Sequence, residues 1–238
     1  DLAQHRNPGG VNIAYRVIKT FTYWWEKETD NEYNSPIRKV KTPRNPAVPM
    51  KGIDPQNVKK MINACKGTNK QRDQAILITL FDTGVRATEL ITMDIADLNL
   101  AEGKIHVGHG KGGKHRDVFI GRSARRLLRK YLKERELLYP TSPIFITIDG
   151  ERFTYNTLRM MLRRVSKLAG LEKTHYPHDF RRAFALECLR NGLDLNTIMR
   201  LMGQSSITVL QRYLSQSNDD LQRAHQLSSP ADSIFSHF

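Results

Sequence analysis

The sequence contains few of the residues that build disulfides, metal clusters or membrane spans. Its two cysteines, Cys65 and Cys188, lie far apart, so they form neither a disulfide framework nor the close pairs typical of zinc sites. Such sparse cysteine is typical of proteins in a reducing compartment. No apolar run approaches the ~20 residues that a membrane-spanning helix needs, and no signal peptide is visible. We therefore expect a cytoplasmic protein that has no membrane partner.

Acidic residues are also scarce. The chain of 238 residues has 38 lysines and arginines against 24 aspartates and glutamates, which gives a net charge of +14 and a pI near 9.9. The excess is concentrated between Ala101 and Arg135, where eleven basic residues stand against three acidic ones. Such a cluster favours a polyanionic partner whose binding weakens in salt. A solvated face that keeps the protein in solution is the alternative.

The apolar pattern divides the chain into three segments. Residues 11–28 show helical spacing but are too few for a domain, so we interpret residues 1–35 as the carboxy-terminal remnant of a helical domain. The chain begins at Asp1 rather than at methionine, and we expect an amino-terminal piece to be missing. Residues 36–52 are rich in proline and basic residues, which predicts an extended linker. Residues 53–238 form the main domain.

The main domain is predicted to be mainly α-helical with one small antiparallel β-sheet. Asp54-Pro55 is typical of a helix start, and Gly84 and Gly203 are typical of helix ends. Alternating residues predict strands at 104–108 and 115–120, joined by a glycine-rich turn. The other predicted elements are helices at 71–82, 122–139, 154–168, 178–190, 194–203 and about 219–227, a helix that carries Tyr213, and a short strand at 144–146.

Four separated segments carry residues that chemistry on a phosphodiester needs. They are Thr83-Gly84-Val85-Arg86, Gly110-Lys111-Gly112-Gly113-Lys114, His178-Asp179-Phe180-Arg181 and Gln211-Arg212-Tyr213-Leu214. Two arginines can clamp phosphate oxygens through paired hydrogen bonds. Lysine and histidine can transfer protons, and a tyrosine can form a covalent intermediate. Each segment alone has a plainer interpretation: a surface arginine paired with Glu89, a capping histidine, an exposed hairpin or a packed tyrosine.

Two other patterns are rejected. Residues 108–114 nearly match a nucleotide-binding P-loop, but His115 replaces the required serine or threonine, and a strand follows where a helix is needed. His106, His109 and His115 suggest zinc, but no cysteine or carboxylate set completes such a site. We expect neither a metal ion nor another cofactor.

The ordered set of residues resembles the tyrosine recombinase family, which includes phage integrases, chromosome-dimer resolvases and transposon enzymes. The set matches in residue type, order and spacing, and Tyr213 lies 32 residues after Arg181. The resemblance covers residues 53–216, and residues 1–35 are similar to the end of the family's core-binding domain. The matching local contexts are Thr83-Gly84-Val85-Arg86 with Glu89-Leu90, Gly110-Lys111-Gly112, and Leu201-Met202-Gly203 ahead of Ser205-Ser206.

One position departs from the family pattern. Family members usually have histidine or tryptophan 23 residues after the second arginine, where this chain has Gln204. A glutamine amide can still hydrogen-bond a phosphate oxygen, but it carries no charge and transfers no proton. The resemblance also identifies Glu89 as the acidic residue that supports the site.

The resemblance implies a strand-transfer enzyme with the family's catalytic-domain fold. Arg86, Arg181 and Gln204 are expected to hold the scissile phosphate of double-stranded DNA. Tyr213 is expected to attack it, which gives a 3′-phosphotyrosine and a free 5′-hydroxyl. The family's strand exchange further implies a homotetramer on two duplexes, in a prokaryotic or mobile-element host.

The resemblance assigns proton transfer to two further residues. Lys111 protonates the leaving oxygen, and His178 takes the tyrosine proton or orients a neighbour. Lys114 is expected to touch a backbone phosphate, although an exchange of roles with Lys111 stays open. The other expected DNA contacts are Arg116, Arg38, Lys39 and Lys41.

Two alternatives stay open on the sequence alone. A type IB topoisomerase uses the same chemistry but rejoins the cut strand to its own partner. A non-catalytic DNA-binding module that retains the fold is the second, and Gln204 gives it some weight. The target site, and the choice among integrase, resolvase and transposase, do not follow from the residues.

Overall fold

The computed structural model describes residues 7–29, 35–43, 52–108, 115–135, 138–204, 222, 225–226 and 229–235. The chain divides into two units, Asp1–Val48 and Pro49–Phe238. The boundary between them falls inside the segment predicted as a linker. Within the described ranges, no helix combines the length and the apolar character needed to cross a membrane.

The first unit contains one long helix and a short turn that packs against it. Helix α1 spans Pro8–Glu28. The buried carboxylate of Glu26 accepts hydrogen bonds from the backbone amide of Ser35 and from the guanidinium of Arg38. These bonds hold the next residues on α1, so Pro36–Lys39 forms a turn of 3-10 helix instead of the extended chain that the composition predicts.

The second unit contains the other helices and the sheet. Its described helices are α2 (Pro55–Ala64), α3 (Lys70–Thr83), α4 (Ala87–Thr92), α5 (Arg122–Leu132), α6 (Tyr155–Leu168), α7 (Pro177–Arg190), α8 (Leu195–Met202) and α9 (Pro230–Phe235). Helix α2 begins at Asp54, whose carboxylate accepts a hydrogen bond from the amide of Gln56 at 2.7 Å. Helix α8 begins in the same way at Asp194. The predicted starts of both helices follow from this capping chemistry.

Three short antiparallel strands form the sheet, in the order β1-β2-β3. They are β1 (Leu98–Asn99), β2 (Lys104–Val107) and β3 (Arg116–Phe119). Ile105 of β2 pairs with Val118 of β3, and both are buried, because directly opposed residues of neighbouring strands project to the same face of the sheet. The predicted fold class, mainly α with one small antiparallel sheet, is confirmed.

Helix α3 lies at the centre of the core. Its residues Ala75, Ile76, Leu77 and Leu80 are fully buried, and the helix packs against α2, α5 and α7. Gly84 closes α3 in the left-handed conformation, with φ at +59°. Since packing on several sides fixes the axis of α3, the residues that follow Gly84 start from a fixed place.

A smaller apolar cluster fixes α8 on α7. Phe184 and Ala185 of α7 pack with Ile198 and Met202 of α8, and all four are buried. Helix α8 then ends at Gly203, which is also left-handed. The last turn of α8 is therefore held firmly against α7.

Several predicted elements differ from the structure. Helix α5 ends at Leu132, well before the predicted end, because the apolar pattern stops there and Arg135 turns to bind the carbonyl oxygens of Pro143 and Ile144. The predicted strand at 144–146 is wrong, since only isolated bridges form at its two ends. Helix α4 and strand β1 are missing from the prediction because each is too short to show a periodic pattern.

We predict that Gly84→Ala lowers the free energy of unfolding by about 3 kcal/mol. An added Cβ would lie 2.4 Å from Cδ1 of Phe184, while the backbone stays in the left-handed region. Gly170→Ala is the matched control, because Gly170 is also left-handed but has no atom within 4 Å of its added Cβ. The control should lose only about 1 kcal/mol. Urea unfolding measures both losses, and equal losses would show that Phe184 gives way without cost.

Candidate active site

Arg86 directly precedes α4, between the buried residues Val85 and Leu90. Its Nη1 donates a hydrogen bond to Oε1 of Glu89 at 2.7 Å, and its Nη2 donates to the carbonyl oxygen of Gly203 at 3.3 Å. The side chain keeps 36% of its surface exposed. Arg86 is thus oriented by the protein on one side and open to a ligand on the other.

Glu89 is the buried anion of the site. Its carboxylate accepts hydrogen bonds from the backbone amide of Arg86 at 2.8 Å and from both terminal nitrogens of Arg116, at 3.0 Å and 2.8 Å. Burial alone would raise the pKa of Glu89, but the hydrogen bonds from Arg116 and Arg86 outweigh it and lower the pKa to about 2. Glu89 is therefore ionised at any physiological pH.

Arg181 lies near the start of α7 and is buried, with 3% of its surface exposed. Its Nη1 donates to the carbonyl oxygen of Gly84 at 2.5 Å, and its Nη2 donates to that of Met202 at 2.7 Å. Both acceptors belong to the ends of helices, where carbonyl groups lack a partner within the helix. The guanidinium therefore joins the end of α3 to the end of α8.

The end of α8 gathers three arginines. Its residues Leu201–Gly203, here called the carbonyl turn, present three consecutive carbonyl oxygens that each accept a hydrogen bond from a different arginine: Arg116 at 2.9 Å, Arg181 at 2.7 Å and Arg86 at 3.3 Å. The carboxyl end of a helix also carries the negative end of its dipole, which favours cations. Three positive charges that are distant in sequence therefore meet on one turn of backbone.

Glycine is required at the end of the carbonyl turn. Gly203 has φ at +61°, and a Cβ there would lie 2.9 Å from Nη1 of Arg116. Only glycine combines this backbone conformation with so close an approach of a guanidinium. The glycine that the sequence suggests as a helix end thus also makes room for the site.

His178 lies one helical turn before Arg181 on α7, and its side chain is exposed. Partial loss of water around the ring, followed by the positive charges of Arg182, Arg181 and Arg86, lowers the pKa of His178 from its ordinary value, although Asp179 opposes this. The lowered pKa of His178 favours the neutral ring. A neutral imidazole can accept a proton, which a protonated one cannot.

Gln204 directly follows the carbonyl turn. Its backbone amide donates to the carbonyl oxygen of Met199 at 3.0 Å. Its side-chain Oε1 is buried and has no hydrogen-bond partner among the residues that the structure describes. A buried acceptor without a partner costs free energy, and only the amide nitrogen of this side chain could donate to a phosphate oxygen.

Three of the predicted site residues, Lys111, Lys114 and Tyr213, lie outside the described residues, and their places in the site stay predictions. The structure brings Arg86, Glu89, Arg116, Arg181 and Gln204 together around the carbonyl turn, and the charges of Arg181 and Arg86 reach His178. Residues that share no local sequence pattern thus converge on one turn.

The expected DNA contacts in the first unit lie at its surface. Lys39 and Lys41 are exposed. Arg38 is bound to Glu26 at 2.7 Å and lies over the ring of Tyr23, but 56% of its side chain stays exposed. Their contact with DNA stays a prediction.

Sequence reasoning missed the structural partner of Arg116. The sequence predicts Arg116 as a DNA contact, whereas its guanidinium binds Glu89 and Leu201, and 12% of its side chain is exposed. The separation of 27 positions between Glu89 and Arg116 carries no periodic signal. The only available clue is that Arg116 follows the glycine-rich turn beside Lys111 and Lys114.

Comparison with known proteins shows the family of this chain. Residues 51–219 match the phage integrase family, a range that contains every predicted catalytic residue. Tyrosine recombinase XerD of Listeria monocytogenes serovar 1/2a is 32% identical over 215 residues, which cover 87% of this chain and 72% of that protein.

Solved structures show the same fold. The crystal structure of XerA recombinase is 26% identical, with a TM-score of 0.67 over 96% of this chain and 78% of that chain. The XerH site-specific recombinase, solved in a post-cleavage complex with its palindromic difH substrate, is 24% identical, with a TM-score of 0.65 over 84% of this chain and 59% of that chain. The chain therefore belongs to the phage integrase family, and it is a tyrosine-type site-specific DNA recombinase.

Proposed function

We propose that this site cuts and rejoins double-stranded DNA through a 3′-phosphotyrosine formed on Tyr213. The observation that carries the proposal is that Arg86 and Arg181 bind consecutive carbonyl groups of the carbonyl turn. Two guanidiniums so close together match the nonbridging oxygens of one phosphate. Their charge stabilises the negative charge that builds up in the transition state.

Residues of the chain supply and accept every proton that the cleavage step needs. The phenol oxygen of Tyr213 forms a bond to phosphorus, and the bond between phosphorus and the 5′-oxygen breaks. Neutral His178 accepts the phenol proton, and Lys111 gives a proton to the leaving 5′-oxygen. The phosphotyrosine is a phosphodiester like the bond that was cut, so a second 5′-hydroxyl reverses the step without a nucleotide cofactor.

Glu89 and Arg116 act as positioning residues. Glu89 holds Arg86 through its backbone and its side chain, and Arg116 holds Glu89 through two hydrogen bonds. Because Arg116 also binds the carbonyl turn, it fixes the distance between that turn and the start of α4. We therefore assign Arg116 to this function in preference to direct contact with DNA.

The wider contacts with DNA follow from charge. We propose that Lys114 binds the duplex beside the cleavage point and that Arg38, Lys39 and Lys41 bind it from the first unit, with support from DNA complexes of similar fold.

Exchange between two duplexes requires four strand cuts, so we further propose a homotetramer. The enzyme then acts where the DNA is, in the cytoplasm of a prokaryotic host.

The nucleophile is tested by covalent trapping. Because the target site is unknown, the substrate is a pool of nicked duplexes with a randomised core, from which covalent protein–DNA complexes are recovered and sequenced. Wild type should give a covalent band, and Tyr213→Phe should reduce it to background because only the attacking oxygen is removed. Tyr139→Phe is the matched control, since Tyr139 is 60% exposed and lies outside the proposed machinery.

The same experiment separates the alternatives. A band that persists in Tyr213→Phe would contradict the assignment of the nucleophile. No band in wild type would favour a binding module without catalysis. Recovered duplexes without any common sequence would favour topoisomerase-like relaxation over site-specific exchange.

We predict that Glu89→Gln lowers the free energy of unfolding by about 3 kcal/mol at neutral pH, because it leaves Arg116 without its anion. The folded pKa of about 2 lies below the ordinary value of 4.5, so the stabilisation is present above pH 4.5 and disappears as pH falls towards 2. The difference between wild type and variant should therefore shrink over that range.

Denaturant unfolding at several pH values measures this difference. Glu187→Gln is the control, because it removes a partly exposed pair with Arg190 and should cost less than about 1 kcal/mol. A difference between wild type and Glu89→Gln that does not change with pH would show that the charge of Glu89 does not stabilise the fold.

We predict that Gln204→His cleaves at least as fast as wild type, because histidine also donates to a phosphate oxygen and can add a positive charge. Gln204→Leu, which has a similar size but no donor, should be about tenfold slower if one hydrogen bond is lost. Single-turnover covalent trapping on a recovered substrate measures both rates. A large loss of rate in Gln204→His would mean that the site is built around the amide.

A further inference from the structure

Helix α5 exposes a row of positive charge that the proposed chemistry does not use. Its exposed members, here called the basic row, are Arg122, Arg126, Arg129, Lys130 and Lys133. At 3.6 residues per turn, these positions fall within about 100° of one face of the helix. Residues Arg122–Leu132 include no aspartate or glutamate.

The basic row has no ion-pair partner in the part of the chain that the structure describes. Two other arginines of the same unit have such partners: Arg152 binds Asp94 at 2.5 Å, and Arg190 binds Glu187 at 2.7 Å. Like charges one helical turn apart repel each other. The row therefore carries an electrostatic cost that a bound polyanion would remove.

The rest of α5 holds the basic row rigidly. Ala124, Leu128 and Tyr131 are buried on the opposite face, and the helix packs on α3. Arg125 turns away from solvent and donates to the carbonyl oxygens of Leu100, at 2.9 Å, and Ala101, at 2.6 Å. The row is thus a fixed surface and not a set of independent side chains on a loose segment.

The residue before the basic row contacts the helix that leads to the active site. The amide of Gly121 donates to Oδ2 of Asp82 at 2.7 Å, and Asp82 stands two residues before Gly84, whose carbonyl holds Arg181. From Arg122 the row extends along the helix for about 16 Å. Duplex DNA carries about one negative charge per 1.7 Å of its axis, so a row of this length faces several phosphates.

We propose that the basic row binds the sugar–phosphate backbone of duplex DNA, at a place separate from the scissile phosphate. The inference rests on the proposed function only in taking DNA as the ligand. A protein partner fits less well, because the centres of protein interfaces are apolar and poor in lysine. No large apolar side chain of α5 is among the exposed residues that the structure describes.

The experiment compares two triple variants that remove the same charge. The row variant is Arg122→Gln, Arg126→Gln and Arg129→Gln. The control variant is Lys59→Gln, Lys60→Gln and Lys66→Gln, which are exposed and outside α5. Affinity for a duplex of arbitrary sequence is measured over a series of salt concentrations. The slope of log K against log salt should fall by up to about 0.9 for each lost contact in the row variant, and it should not change in the control.

A third variant, with lysine at the three arginine positions, tests the chemistry of the contact. Backbone phosphates need a point charge, so lysine should restore the wild-type slope. A row variant with the wild-type slope, an equal fall in the control, or a failure of lysine to restore the slope would each overturn the proposal. Failure of the proposed function looks different, because wild type would then form no covalent complex whatever the slope.

Discussion

The site depends on three carbonyl oxygens at the end of one helix. The carbonyl turn offers acceptors that the helix cannot satisfy internally, and Arg86, Arg116 and Arg181 satisfy them from three other elements. Such an arrangement solves a problem of repulsion, because guanidiniums brought together without acceptors would drive each other apart. The same bonds leave Arg86 partly exposed and hold Arg181 in a buried position, so both guanidiniums are oriented before a phosphate arrives.

Charge in this protein is partly offset near the chemistry and left without ion pairs along the basic row. Glu89 offsets the cations around the carbonyl turn, and its low pKa shows how strongly Arg116 and Arg86 favour its ionised form. A single buried anion beneath several cations keeps the site positive towards solvent. Helix α5 has no such anion, and its basic row remains free to attract a polyanion over a longer range. The residues that hold the phosphate and the residues that attract DNA over a longer range thus lie in different parts of one domain.

The sequence predicts the parts of this structure that depend on local chemistry. Gly84 and Gly203 end helices because only a left-handed residue closes them comfortably, and Arg86 and Arg181 stand out by residue type and order. The hydrogen bonds that join them could not be predicted, because every residue has a backbone carbonyl and the sequence does not show which one accepts a hydrogen bond. Arg86 and Gly203 are 117 positions apart, and no periodic pattern links them. The pairing of Arg116 with Glu89 could not be predicted for the same reason. Short elements such as α4 are too short to show a periodic pattern.

Binding of the scissile phosphate by Arg86 and Arg181 is tested most directly by a crystal structure of the protein with nicked duplex DNA and vanadate, which mimics the five-coordinate phosphorus of the transition state. We expect vanadate beside the carbonyl turn, with oxygens within hydrogen-bond distance of Arg86 and Arg181 and the phenol oxygen of Tyr213 at an apical position. Vanadate bound away from both arginines would show that they do not hold the scissile phosphate. A structure in which no Tyr213, from this chain or a neighbouring copy, reaches the vanadium would contradict the assignment of the nucleophile.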